Sequence, residues 1–315
     1  MKRKLSIVVP VYNEEESLEE LYDHIVENVQ KCIQKELISE FELLFVDDGS
    51  TDSSVDKMRA IRSKDERVHY ILFRKNFGKA TALESAFKNV TGDIVITMDA
   101  DLQDDPIEIE NFINKLDEGY DLVSGWKVNR LDPLEKRLPS KLFNKVTSKL
   151  SGVNLHDFNC GFKAYRREVV DSLDIYGELH RYIPVLAYRK GFKITEIGVH
   201  HNKRKFGKSK YGVERYLRGL FDSISVSFIS KYYDRPMYFF GRLGLWSFAI
   251  GFILCLILTI EWISGIAIGS RPLLLLGVML ILLGVQFLSI GLIGDMLVDA
   301  TYRNRYSESH VKEKI

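Results

Sequence analysis

Cysteine is scarce in this 315-residue chain: Cys32, Cys160 and Cys255 are few, odd in number and far apart. They form neither a disulfide framework nor a CxxC metal site. Net charge is nearly absent, at +1, which excludes a generally basic nucleic-acid binder. No glycine-rich basic loop follows the first apolar run, where Asn13-Glu14-Glu15-Glu16 stands instead, so a nucleotidyl transferase is disfavoured. The Gly207-Lys208-Ser209 triplet is no phosphate loop, because that motif requires a glycine where Asn202 lies. His200-His201 has no spaced partner that would make a zinc site. The apolar run Ile7–Val11 is too short for a signal-peptide core and ends in a turn, so it reads as a first strand.

Long hydrophobic runs are also missing until about residue 236, and then two appear, Phe239–Ile263 and Pro272–Leu292. Each has about the 20 apolar residues a membrane-spanning helix needs. Arg242 and Glu261 lie near the ends of the first, where long side chains reach an interface. Lys231, Arg235, Arg303 and Arg305 flank the open end of this hairpin, whereas the connection Ser264–Arg271 holds only Arg271. The positive-inside rule therefore puts residues 1–234 and a tail, 301–315, in the cytoplasm, with a hairpin at 235–300. The expectation is a multi-pass protein of the cytoplasmic (inner) membrane, with too few helices for a transport path.

Before the hairpin, short apolar runs alternate with helical spacing. Leu5–Val11, Phe41–Val46, Val68–Phe73 and Ile94–Met98 read as strands; Glu14–Lys31, Val55–Arg62 and Lys79–Asn89 read as helices. Continuous apolar strands between helices predict an α/β fold, a mostly parallel sheet flanked by helices. Ligands of such sheets bind beyond the carboxyl ends of the strands. The polar residues gather there: Pro10-Val11-Tyr12-Asn13-Glu14, Asp47-Asp48-Gly49-Ser50-Thr51-Asp52, and Asp99-Ala100-Asp101-Leu102-Gln103-Asp104. Turn preference alone accounts for any single loop, but not for three at matching places. Carboxylates there suit a hard divalent cation bridging a diphosphate, and hydrogen bonds to a ribose or base. Asp99 and Asp101, two apart at a strand end, could point the same way.

Those loops, together with Arg74–Lys79, Asp157-Phe158-Asn159-Cys160-Gly161-Phe162, Lys203–Tyr211 and the trailing hairpin, resemble the family 2 glycosyltransferases of the GT-A fold. More narrowly they resemble polyprenyl-phosphate sugar transferases, the dolichyl-phosphate mannose synthases and bactoprenyl glucosyltransferases. The resemblance implies that Pro10, Tyr12, Glu14 and Asp48 line a nucleoside pocket, with Asp99 and Lys79 also on the donor. Asp99, Asp101 and Gln103 would hold Mg²⁺ or Mn²⁺ against the donor diphosphate, Asp101 being essential to turnover. Asp157 stands where inverting members keep a base or a sugar-binding carboxylate. Arg204 and Lys210 would face phosphate, and Arg137 is added from its position and charge. The implied partners are a UDP-sugar, UDP-glucose first, and undecaprenyl phosphate; the bacterial relatives imply a homo-tetramer.

Two basic stretches fit a lipid surface. Lys127–Lys149 interleaves lysines and Arg130 and Arg137 with Leu138, Leu142, Phe143, Val146 and Leu150, and Lys203–Arg218 runs into Tyr216, Leu217, Leu220 and Phe221. Basic amphipathic helices of this kind lie against anionic leaflets. Two other readings stand beside the lipid transferase. One is a family 2 enzyme with a glycan acceptor, although Arg181-Tyr182-Ile183-Pro184 is not the QxxRW segment of processive synthases. The other is an inactive membrane scaffold, against which the intact acidic loops argue.

Overall fold

The structure is a computed structural model that describes residues 3–128, 144, 147–149, 151–175, 179–200, 202, 232, 235–268 and 271–303. The chain divides into two compact units, Met1–Ser227 and Phe228–Ile315.

The first unit is built on seven strands: β1 (Lys4–Val11), β2 (Glu40–Asp47), β3 (Val68–Leu72), β4 (Ile94–Thr97), β5 (Leu122–Lys127), β6 (Lys163–Arg166) and β7 (Ile194–Val199). Their order is β3-β2-β1-β4-β6-β5-β7. Only β6 runs antiparallel to its neighbours, β4 and β5. Helices α1 (Leu18–Gln34), α2 (Ser54–Lys64) and α4 (Ile109–Asp117) cover one face; α3 (Lys79–Asn89), α5 (Arg167–Ser172) and α6 (Ile183–Arg189) cover the other.

This two-sided cover explains the continuous apolar strands. Leu5, Ile7 and Val9 of β1 pack with Leu18, Leu21, Ile25 and Val29 of α1. Val8 points the other way, to Leu44, Val46 and the alanine-rich face of α3. Each such side chain, taken fully out of water, contributes about 1.5–3 kcal/mol. Helix α1 begins at Leu18, later than the expected Glu14. Asn13 takes a left-handed φ of 52°, and the N–H groups of Glu14 and Glu15 are taken by Ser54 Oγ (2.9 Å) and Asp52 (3.2 Å). The first acidic residues are thus fastened to the neighbouring loop before the helix starts.

At the opposite edge a buried carboxylate ties β1 to β2. Glu42 accepts from Ser6 Oγ (2.6 Å) and Thr91 N–H (2.7 Å) at one oxygen, and meets Lys4 Nζ (2.7 Å) and Thr91 Oγ1 (2.9 Å) at the other. Burial alone raises its pKa, but Lys4, Ser6 and Thr91 outweigh that and hold it down at about 2. A folded pKa below the unfolded value of 4.5 gives stability that is present above pH 4.5 and lost as pH falls toward 2. The scale is on the order of 3 kcal/mol. Glu42→Gln therefore lowers Tm at pH 7, and thermal unfolding followed from pH 6 downward shows the gap to wild type closing below about pH 4.5.

The second unit is a helical hairpin of α7 (Met237–Ile263) and α8 (Pro272–Arg303), both long and apolar enough to cross a membrane. Of their most apolar windows only 17% and 11% is buried, so the apolar side chains face outward, unlike those of a core helix. Glycines let the backbones touch: a Cβ on Gly251 would lie 2.6 Å from the carbonyl oxygen of Gly277. Small residues serve the same purpose between membrane helices generally. At the connecting end Glu261 pairs with Arg271, and at the open end Asp295 accepts from the first N–H of α7 (3.0 Å). Helix α8 runs beyond the expected Leu292, because Gly294 continues the contact against Pro236 and Asp295 caps its partner.

Candidate active site

Strand order reverses between β1 and β4: the chain builds β1, β2 and β3 outward, then returns to lay β4 on the other side of β1. That reversal opens a crevice at the carboxyl ends of the strands, and the acidic loops surround it. The loops after β1 and β2 are laced together. Asn13 donates its N–H to Ser50 Oγ (2.8 Å) and accepts from Thr51 N–H (2.7 Å). Ser53 N–H donates to Glu15 (2.8 Å). Asp47 folds its own turn by accepting from Gly49 and Ser50 N–H. Gly49 has φ +74°, and a Cβ there would meet the Lys75 backbone at 2.4 Å, so this crossing requires glycine.

Asp48, which burial shifts toward a higher pKa, accepts from the N–H groups of Phe77 (2.7 Å) and Gly78 (2.9 Å). It thereby anchors the Arg74–Gly78 loop and sets the start of α3. Lys79, the first residue of that helix, then reaches Asp99 and pairs with it. Pro10 lies in β1 opposite Val46, with Tyr12 and Glu14 half-buried just beyond.

After β4, Asp99, Asp101 and Gln103 follow one another along a tight loop. Leu102 takes a left-handed φ of 60°, uncommon for a leucine, and Asp101 Oδ1 accepts from Gln103 N–H (3.2 Å). Gln103 also bridges to the segment beyond β7: its carbonyl accepts from Asn202 N–H (2.9 Å). Burial works against a charge on Asp99, but Lys79, Lys127 and Lys163 prevail and hold it ionised, at about 2. Beneath it Asp104 is fully buried, accepts from Asp99 N–H (3.4 Å) and faces Lys127 Nζ at 3.5 Å. Burial raises the pKa of Asp104; the same burial on Lys127 is outweighed by Asp104, Asp99 and Asp101, so the lysine stays charged.

Among the described residues no three His, Cys, Asp or Glu side chains converge into a closed metal cage. The residues present fit an open site for a hard cation: two carboxylates and an amide supply oxygen only. Asp99 is already in the ionised form a ligand requires. Space is kept beside it by Gly161, whose Cβ would fall 2.6 Å from both Asp99 carboxylate oxygens.

The far wall is the loop from His156 to Gly161. Asp157 is buried and accepts from Asn159 N–H (3.0 Å), so it shapes its own turn. Asn144 spans the same turn, donating to the His156 carbonyl (2.8 Å) and accepting from Phe158 N–H (3.3 Å). Glu196 of β7 accepts from His156 N–H (2.8 Å) and pairs with its ring, which stacks on Trp126 at 4.2 Å. Thr97 Oγ1 donates to the Gly161 carbonyl (2.8 Å), joining this loop to β4. His180, in the turn Leu179–Tyr182, has a pKa well below the usual imidazole value because of burial and then Lys79 and Arg181. It is a neutral imidazole beside the Lys79–Asp99 pair.

Pro10 at the end of β1, Lys79 at the start of α3, and Tyr12, Glu14, Asp48, Asp99, Asp101 and Gln103 on loops thus gather at the carboxyl ends of the strands, with Asp157 on the loop that Thr97 of β4 holds. Arg137, Arg204 and Lys210, and nearly all of the two basic stretches, lie outside the described residues. One expectation is corrected. Lys127 does not belong to a membrane-surface helix; it ends β5 and points inward to Asp104. The sequence pattern also assigns no role to Asp104, Lys163 or His180. Lys163 follows Gly161-Phe162 directly, at the end of a segment with motif character, and a lysine set between Phe162 and Ala164-Tyr165 is the signal that could have found it.

Residues 6–174 match the family model described as glycosyl transferase family 2. The dodecaprenyl-phosphate galacturonate synthase of Rhizobium johnstonii is 34% identical over 318 residues, covering 99% of this chain and 93% of that protein. Among solved structures, glucosyl-3-phosphoglycerate synthase from Mycobacterium tuberculosis in complex with Mn²⁺, UDP and phosphoglyceric acid superposes with a TM-score of 0.54 at 21% identity, covering 72% of this chain and 78% of that one. The same enzyme with Mn²⁺ and UDP-glucose gives 0.51 at 22%, covering 71% and 79%. These likenesses establish the GT-A type of sheet. With a family model over more than half of the chain and a relative aligned nearly end to end, the chain belongs to glycosyl transferase family 2.

Proposed function

We propose that this enzyme transfers glucose from UDP-glucose to a polyprenyl phosphate, undecaprenyl phosphate in the first instance, at the cytoplasmic face of a membrane and with inversion at the anomeric carbon. The observation that carries the proposal is the presence, on one chain, of an acidic crevice at the β1/β4 reversal and an outward-facing apolar hairpin. The full-length relative named for a dodecaprenyl-phosphate product supports the lipid acceptor.

In this reading Pro10, Tyr12, Glu14 and Asp48 receive the uridine, and Lys79 meets the diphosphate. Asp99, Asp101 and Gln103 would hold Mg²⁺ or Mn²⁺, which supplies Lewis-acid neutralisation of the departing UDP. A lipid phosphate oxygen attacks the anomeric carbon, the new C–O bond forming as the bond to the UDP oxygen breaks. A phosphate monoester has a second pKa near about 6, so the acceptor arrives largely as a dianion and needs no strong base. Asp157 accordingly orients sugar or acceptor rather than removing a proton. Arg137, Arg204 and Lys210 grip the lipid phosphate, arginine by its fork of donors.

Glucose is carried over from the bactoprenyl glucosyltransferases that the loops resemble, in place of the galacturonate of the named relative. Among the described residues Lys127 is engaged by Asp104 and Lys163 by carbonyl groups. The hairpin would tether the catalytic unit to the membrane that carries the lipid acceptor. Arg235 and Arg303 at its open end, against an Arg271 neutralised by Glu261 at the connection, support cytoplasmic placement of catalytic unit and tail.

The test uses purified protein in detergent with undecaprenyl phosphate, Mg²⁺ or Mn²⁺, and a panel of radiolabelled nucleotide sugars including UDP-glucose and UDP-galacturonate. Label from UDP-glucose entering the organic phase is the expected result. Label from UDP-galacturonate alone would overturn the sugar, and release of UDP without labelled lipid would overturn the acceptor.

A further inference from the structure

Lys163 is only 3% exposed and sits in the middle of the sheet, between Thr97 of β4 and Ser124 of β5. A buried ammonium is costly unless it is paired, yet the hydrogen bonds it makes are to neutral groups. Its Nζ donates to the carbonyl of Phe158 (3.4 Å) and to that of Cys160. The groups that act on it electrostatically are the Cys160 thiol, then Lys79, which opposes, and then Asp157 and Asp99. Burial accordingly lowers its pKa. A methionine would fill the same space without that cost, so stability alone gives no reason for a lysine. What the lysine has that methionine lacks is a grip on two carbonyls of the loop that carries Asp157.

We propose that Lys163 is a positioning residue, bracing the Asp157–Gly161 loop from beneath through its bonds to the Phe158 and Cys160 carbonyls, so that the spacing between the diphosphate-facing and sugar-facing carboxylates is fixed. This rests on the roles proposed above for Asp99 and Asp157. The brace acts together with two contacts already described, Thr97 on the Gly161 carbonyl and Gly161 against Asp99. Loss of the lysine frees the loop at Phe158 and Cys160 while leaving its Gly161 end attached.

The test compares full-length wild type, Lys163→Met and Lys163→Arg in detergent. Relieved desolvation and two lost carbonyl bonds oppose each other, so the Tm of Lys163→Met moves by no more than about 5 °C. Its kcat falls about 100-fold, as displacement of a reacting group by about 1 Å does, while the donor KM changes less than about threefold. Lys163→Arg, which keeps charge and donors, recovers at least about tenfold of that loss. Amide hydrogen exchange across residues 158–162 quickens in Lys163→Met and returns toward wild type in Lys163→Arg.

Wild-type turnover and exchange in Lys163→Met would overturn the inference. So would activity falling in step with Tm while loop exchange stays unchanged, the pattern of a filler of space. The exchange readout needs no substrate. If wild type makes no glycolipid but the loop responds as described, the brace stands and the proposed function fails; a productive wild type with an unresponsive loop gives the reverse.

Discussion

Replacing Asp101 with Asn abolishes transfer to within the background of the lipid-extraction assay, a loss on the order of 10³-fold in kcat. The change is nearly isosteric, and the asparagine oxygen still accepts the Gln103 N–H that Asp101 Oδ1 now accepts at 3.2 Å. The loop and its left-handed Leu102 therefore keep their shape, and Tm stays near wild type. What disappears is one negative charge at the proposed cation site. Asp99 cannot replace it, because its carboxylate is already one of the proposed ligands and pairs with Lys79 as well. Calorimetric titration with UDP separates the cause from a folding defect. Wild type binds UDP more tightly when Mn²⁺ is added, and Asp101→Asn loses most of that gain. A variant that still transfers sugar, with the wild-type response to Mn²⁺, would remove Asp101 from the site. A scaffold without activity would show no turnover in either protein.

The sequence exposes the donor side of the site more fully than its foundation, for a physical reason. Loops at strand ends carry polar residues in short runs, and β–α alternation tells which ends share an edge. Hence Asp48, Asp99, Asp101 and Gln103 are legible from the order of residues alone. The partners that set their charge state are single residues at the ends of strands. Lys127 closes β5 and Lys163 opens β6, and only the antiparallel insertion of β6 between β4 and β5 brings both beneath Asp99. Nothing local marks that insertion, since a four-residue strand offers too little pattern. Lys127 misleads for the same reason: the lysines that follow it suggest a surface helix, whereas Asp104 pulls it inward. The late start of α1 is hidden because Glu14-Glu15-Glu16 favour a helix, and the hydrogen bonds that prevent it come from Asp52 and Ser54, across the sheet edge. The hairpin is the plainest feature, because length and apolarity are composition, and composition needs no tertiary partner.

Gly161→Ala is expected to be strongly damaging, although it adds one methyl group. Gly161 is not among the glycines with a positive φ, so alanine meets no backbone strain there. The obstacle is room: its Cβ would lie 2.6 Å from both oxygens of Asp99 and 2.7 Å from the carboxyl carbon. Something has to move by nearly an ångström. The loop is the poorer candidate, since Thr97 holds the Gly161 carbonyl at 2.8 Å and Gly125 N–H holds that of Phe162 at 2.9 Å. The partly exposed Asp99 side chain therefore turns away, and displacement on that scale costs about 100-fold in kcat/KM. Crowding of this kind destabilises by about 1–3 kcal/mol, a modest fall in Tm that leaves a folded enzyme to assay. The signature that separates it from general damage is the Mn²⁺ dependence of turnover, which shifts to higher concentration by about tenfold as Asp99 is turned out of place. Gly161→Ala with turnover and Mn²⁺ dependence like wild type would mean that Asp99 does its work from a position other than the one it occupies beside Gly161.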